Sequence, residues 1–137
     1  MNRSEEALSY FEQSLVLDPD YFEANYNLSG CLVENKAPDD ALVFIDKALE
    51  LEPLHAGALN RRGEILLALK RFDDAFEFFK RTLEEHPENL ALLNNTGIAA
   101  QNLGYYADAV KFYDRALLID EDFFNATMNR AVALGFL

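Results

Sequence analysis

The sequence is short of most of what specialised chemistry needs. One cysteine, Cys31, in 137 residues leaves no disulfide framework and no thiolate metal cluster. The two histidines, His55 and His86, are too few and too far apart to build a transition-metal site, so no metal is expected. Four prolines and six glycines exclude a collagen-like or linker-like chain. The longest apolar run is Ala131–Leu137, seven residues, far below the ~20 of a membrane span. The opening Met-Asn-Arg-Ser-Glu-Glu carries acids where a signal peptide has an apolar stretch. These absences lead to the expectation of a soluble, cytoplasmic chain in a reducing compartment. Basic residues are also scarce: twelve against 24 acids, for a net charge of −12. Phosphate backbones and anionic membranes need clustered Lys and Arg, so neither nucleic acid nor membrane is an expected partner. There is no P-loop, nucleophile elbow, H-E-x-x-H or glycine-rich turn after a strand. The reading is therefore not an enzyme, with no catalytic residue and no cofactor.

What is present is a repeat. At steps of 34 residues Ala7, Ala41, Ala75 and Ala109 fall in register, as do Leu15, Leu49, Leu83 and Leu117. Glu6, Asp40, Asp74 and Asp108 form an acidic column; Pro19, Pro53 and Pro87 form another, which fails at Glu121. Each period contains two helical patterns. Phe22–Asn35, Ala56–Leu69, Leu90–Leu103 and Phe124–Leu137 are the A helices. Ser4–Leu17, Asp39–Leu51, Asp73–Glu85 and Ala107–Ile119 are the B helices, with apolar residues at three- and four-residue steps, as in Ala41, Leu42, Phe44, Ile45, Ala48 and Leu49. Acids open the B helices, complementing the macrodipole, and Pro53 and Pro87 follow them. Small residues at the eighth place of the repeat (Ser29, Gly63, Gly97) and the twentieth (Ala41, Ala75, Ala109) are expected to face each other and let the helices approach. Tyr10-Phe11, Phe44, Phe78-Phe79 and Phe112-Tyr113 are expected to fill the wider gaps as core, and Cys31 falls in a core column with Ile65, Ala99 and Ala133.

A 34-residue helix–turn–helix with a small residue at eight, Ala at twenty, a bulky residue at twenty-four and Pro at thirty-two resembles the tetratricopeptide repeat, or TPR. Tyr26-Asn27-Leu28-Ser29, Leu59-Asn60-Arg61-Arg62-Gly63 and Lys47 through Pro53 carry the likeness, with departures at Ser29, Thr82 and Glu121. The resemblance implies an all-α solenoid, a right-handed superhelix of antiparallel helix pairs, over residues 1–137. It opens with a lone B helix and turn (4–21), runs through repeats 22–55, 56–89 and 90–123, and closes with a lone A helix (124–137). The stretches Asn60-Arg61-Arg62-Gly63 and Met128-Asn129-Arg130 are similar to those of bacterial multi-repeat TPR arrays. Arg62 and Arg130, at the seventh place, are expected to lay their stems on the core and lift their heads to solvent.

In this family the A helices line the concave side, which implies a scaffold that binds a protein or extended peptide there. Places two, five, six, nine and twelve of helix A share one face. The candidate partner-binding residues are Tyr26, Asn27, Asn60, Arg61, Glu64, Asn94, Asn95, Gln101, Asn125 and Asn129; Gly57 is expected to face the open groove. The sixth place reads Asn27, Arg61, Asn95, Asn129. One amide per repeat, spaced ~8–10 Å, could clamp every third residue of a peptide advancing ~3.3 Å per residue. That is similar to the asparagine ladder of the O-linked N-acetylglucosamine transferases, with Arg61 interrupting it. Equally, these side chains could bond neighbouring helices, and Arg61 could pair with Glu64. The two-carboxylate clamp of chaperone-adaptor TPR domains is not matched: its places hold Tyr26, Gly30, Arg61, Ala91 and Asn95. Alternatives to the binding scaffold are a substrate-presenting segment of a larger enzyme, such as a glycosyltransferase, and a self-associating array. Met1 and Leu137 both fall at the fourteenth place, so the apolar ends, Leu8 and Leu15 at one and Val132, Leu134 and Leu137 at the other, could join head to tail.

Overall fold

The computed structural model describes residues 3–137; Met1, assigned above to a fourteenth place, lies outside them. The described residues form eight α-helices and no strand: α1 Arg3–Leu17, α2 Phe22–Glu34, α3 Pro38–Leu51, α4 Ala56–Ala68, α5 Phe72–Glu85, α6 Leu90–Asn102, α7 Tyr106–Ile119 and α8 Phe124–Leu134. B helices start one residue earlier than the acidic signals suggest, because Pro38, Phe72 and Tyr106 take the first helical place. Helix α8 stops at Leu134, three residues before the apolar run ends.

The chain divides into two compact units, Met1–Leu69 with α1–α4 and Lys70–Leu137 with α5–α8. In the first, α1 packs on α2, α2 on α3 and α3 on α4, with α2 also reaching α4. Its core is Ala41, Ile45 and Ala48 of α3 with Ala58 and Ile65 of α4, ringed by Phe22, Tyr26, Leu32 and Val33 of α2. In the second, α5 packs on α6, α6 on α7 and α7 on α8, with α6 reaching α8. Phe79, Leu92, Leu93, Ala109, Tyr113, Ala116, Ala126 and Ala133 are fully buried there. Alanine at so many central places keeps the helix axes close.

Three residues suffice to reverse the chain between α2 and α3 and between α6 and α7. The fifteenth place of the repeat adopts the left-handed conformation: Lys36 at φ 60°, Lys70 at φ 58° and Gly104 at φ 80°. The Ala37 N–H then reaches Leu32 O at 2.8 Å, and the Tyr105 N–H reaches Ala100 O at 2.9 Å, which satisfies carbonyls the helix end would orphan.

The close approach differs from the pairing of small with small. The missing side chain of Gly97 is filled by the ring of Tyr113, from the twenty-fourth place; a Cβ there would lie 2.7 Å from its Cζ. Two repeats earlier, in 22–55, those two places hold Ser29 and Ile45, both fully buried. A larger eighth residue thus goes with a smaller twenty-fourth. The buried Tyr113 hydroxyl donates to Gln101 Oε1 at 3.1 Å, and burial pushes its ionisation well above the ordinary tyrosine range.

Arg62 and Arg130 also depart from expectation. Their heads are not free in solvent: Arg62 Nε bonds Asp46 Oδ1 at 2.8 Å, and Arg130 bonds Asp114 in the same way. Each pair ties an A helix to the B helix before it, sixteen residues back.

Two outcomes follow from this packing. Gly97→Ala should lower stability by about 1–2 kcal/mol, because overpacking (~1–3) exceeds the helix-propensity gain (up to ~1). In a Tyr113→Ile background the same change should cost nothing; a higher urea midpoint for Gly97→Ala in the native background would refute the packing account. In alkaline titration, Tyr113 holds its proton in the fold while the unfolded chain releases it above ~10. Stability is therefore intact below that pH and falls as pH rises beyond it. One tyrosine's absorbance change should appear only together with loss of helical circular dichroism.

Candidate binding faces of the A helices

In the first unit the face of α2 and α4 is organised by Arg61. Its Nη1 donates to the Tyr26 backbone carbonyl at 3.0 Å, and its Cζ sits 4.2 Å from the centroid of the Tyr26 ring. The guanidinium occupies space left by Gly30: a Cβ on Gly30 would fall on Nη1 and lie 3.1 Å from Cζ. Glu64 is not its partner. Asn60 Nδ2 donates to Glu64 Oε1 at 2.9 Å, one helical turn along the same helix, so the suggested Arg61–Glu64 pair gives way to Asn60–Glu64.

Tyr26 belongs to an aromatic cluster. Its ring stacks on Phe22 at 5.8 Å and 7°, and His55 lies 4.7 Å from Phe22 and 5.5 Å from Tyr26. His55 is fixed because its Nδ1 accepts from Ala58 N–H at 3.1 Å, capping α4. Gly57 does not face open space: a Cβ there would lie 3.0 Å from Tyr26 Oη and 3.1 Å from His55 Cε1. Asn27 is half-buried and Glu23 exposed on the same face. Cys31 is half-buried rather than fully enclosed, and burial, followed by the nearby Glu34, raises its pKa, so the thiol form dominates at neutral pH.

In the second unit the face of α6 and α8 is built from amides. Asn129 Nδ2 donates to Asn94 Oδ1 at 3.0 Å, using one of its two amide hydrogens. Arg61 to Tyr26 and Asn129 to Asn94 join the same two places, sixth to the preceding fifth. The sixth place therefore ties neighbouring A helices in both units. Asn94 and Asn95 are only 7% and 9% exposed, which leaves them little surface for a partner. Gln101 gives its carbonyl to Tyr113, a supporting role the sequence reading did not foresee. The open part of this face is Asn125, Met128 (50% exposed) and Val132 (49%), beside the half-buried Asn129.

The end residues are distributed unevenly. Leu8 and Leu15 are half-buried, whereas Val132, Leu134 and Leu137 are exposed. Phe136 folds back to stack on Tyr106 at 4.6 Å. Among the described residues no helix is long and apolar enough to cross a membrane, and no cluster of three or more His, Cys, Asp or Glu could hold a metal ion. The caps of α4 and α6, His55 and Asn89 at place thirty-four, were missed in the sequence. Asn89 accepts from Leu92 N–H at 3.0 Å, and a side-chain acceptor just ahead of an A helix was the available signal.

Arg61→Gln should cost about 1–2 kcal/mol, from a charge-assisted hydrogen bond and a partly exposed cation–π contact. Arg61→Lys should recover less than half, because an ammonium cannot lie flat on the ring and reach the carbonyl together. Full recovery by lysine in urea denaturation would refute that geometry.

Two family models described as tetratricopeptide repeat match the sequence, one over residues 1–65 and the other over 54–122. No curated protein matches it. Solved structures share its fold. MamA is 17% identical, with 98% of this chain and 84% of that one covered at a TM-score of 0.83. YrrB, described as a TPR protein with an unusual peptide-binding site, is 24% identical, with 93% and 66% covered at 0.85. The TPR domain of Arabidopsis OM64 is 18% identical, with 85% and 96% covered at 0.78.

Proposed function

We propose that this chain, which belongs to the tetratricopeptide repeat family, is a non-catalytic scaffold that binds an extended, uncharged stretch of a partner protein on its A-helix faces. The observation that carries the reading is the α6/α8 face. Its ten groove places hold Ala91, Asn94, Asn95, Ile98 and Gln101, then Asn125, Met128, Asn129, Val132 and Gly135. None is charged, in a chain of net charge −12. Water-facing surface has no need of such neutrality; an incoming peptide backbone does, because its N–H and C=O groups are met by amides and its apolar side chains by Met128 and Val132. Asn125 and the second amide hydrogen and Oδ1 of Asn129 are the polar groups offered. The peptide-binding description of YrrB supports the class of ligand. Backbone hydrogen bonds at ~0.5–1.5 kcal/mol each supply only part of the affinity, so apolar anchors carry the rest and free peptides should bind at micromolar strength or weaker, roughly −8 kcal/mol.

The test is selection of binders from a random peptide library on the intact chain, followed by affinity measurement. Selected peptides should be apolar and uncharged. Asn125→Ala plus Asn129→Ala should weaken them by about 5- to 100-fold, and Met128→Glu should abolish binding. Binders indifferent to all three changes would overturn the reading.

A further inference from the structure

A second surface lies on the B helices of the second unit. Between α5 and α7 runs a groove of about 360 Å³ lined by Phe76, Lys80, Asp108, Lys111, Phe112 and Arg115. Phe76 and Phe112 meet edge to face, 6.2 Å apart at 84°, and form its apolar floor. Cations sit over the rings: Lys80 Nζ is 5.0 Å from the Phe76 centroid, and Arg115 Cζ is 5.8 Å from that of Phe112. The carboxylates that answer them are local and exposed. Lys80 pairs with Glu77 at 3.0 Å and Lys111 with Asp108 at 2.9 Å, each within one helical turn. Such pairs contribute little and are readily exchanged. Arg115 has no carboxylate partner among the described residues; its Nη2 donates only to Pro87 O at 3.4 Å. Three cations against the two carboxylates that pair with them leave the groove with a surplus of positive charge, in a chain with twice as many acids as bases.

The repeat supplies an internal comparison. Sixty-eight residues earlier, the equivalent places between α1 and α3 carry Glu12 where Lys80 stands, Val43 for Lys111 and Lys47 for Arg115, with Asp40 and Phe44 for Asp108 and Phe112. A groove forms there too, lined by Glu12, Leu32, Asp40, Val43 and Phe44. Lys47 is held by Asp20 at 2.9 Å and by Glu50 at 3.6 Å. The fold makes the groove in both units; the side chains make one acidic and the other basic and aromatic.

We propose that the α5/α7 groove is an interaction surface for an acidic segment of a partner protein, one in which carboxylates flank a large apolar side chain. The apolar side chain would rest on the floor formed by Phe76 and Phe112 while its neighbouring carboxylates meet Arg115, Lys111 and Lys80. A polyanionic nucleic acid fits less well. The rings meet edge to face instead of offering parallel platforms for bases, and the chain's net charge repels a long run of phosphates.

Fluorescence anisotropy with the full chain and a labelled Glu-Glu-Phe-Glu-Glu peptide at low ionic strength tests this. Binding should weaken about tenfold when Lys111→Glu and Arg115→Glu are combined, in a variant whose circular dichroism is unchanged. It should weaken comparably for Gln-Gln-Phe-Gln-Gln and for Glu-Glu-Ala-Glu-Glu, and with added salt. Val43→Glu in the acidic groove and Arg61→Gln on the A-helix face should leave it untouched. Absence of measurable binding, insensitivity to the charge reversal, loss through Arg61→Gln, or tighter binding of single-stranded oligothymidine would each overturn the proposal.

Discussion

An A helix and the B helix after it are joined by three residues, and two helices so tethered must cross closely along their length. Volume at the crossing is the constraint from which the rest follows. It sets alanine at Ala41 and Ala109, and it sets the exchange of size between Gly97 with Tyr113 and Ser29 with Ile45. Once a tyrosine ring fills the gap, its hydroxyl is carried into the interior and requires an acceptor. Gln101 answers that requirement with its side-chain oxygen.

The polar residues then act as ties at fixed places. Arg62 with Asp46 and Arg130 with Asp114 link each A helix to the B helix before it. Arg61 with Tyr26 and Asn129 with Asn94 link successive A helices. Different chemistries serve one geometric role, guanidinium to backbone carbonyl in one unit and amide to amide in the other. What a sixth-place side chain has left after making its tie is what it can offer a partner.

The period and the helix pairs were legible because they rest on columns that recur: Ala7 through Ala109 and Leu15 through Leu117. Side-chain partnerships were less legible, since residues sharing a helical face compete for the same neighbour. Glu64 could have met Arg61 on spacing alone; Asn60 reaches it first, and Arg61 is drawn across to a carbonyl that no sequence pattern marks. The eighth place likewise reads as small meeting small until the twenty-fourth residue is seen occupying the gap. Neutrality of the α6/α8 face could be read from the sequence, but the burial of Asn94 and Asn95 within it could not, because it depends on what surrounds a helix on every side. The rim of the α5/α7 groove was hidden for another reason: Lys111 and Arg115 share one face of α7, but Lys80 lies on α5, and only the fold brings it to them.

The ties described within each unit never span more than 35 residues. Low contact order of this kind shortens the search for the native state, since each contact closes a small loop whose entropy cost grows only with the logarithm of its length. A chain made this way has no obligatory last step that waits for its two termini to meet. Either unit can nucleate from any adjacent helix pair, and during synthesis the first can begin to form while the second is still emerging from the ribosome.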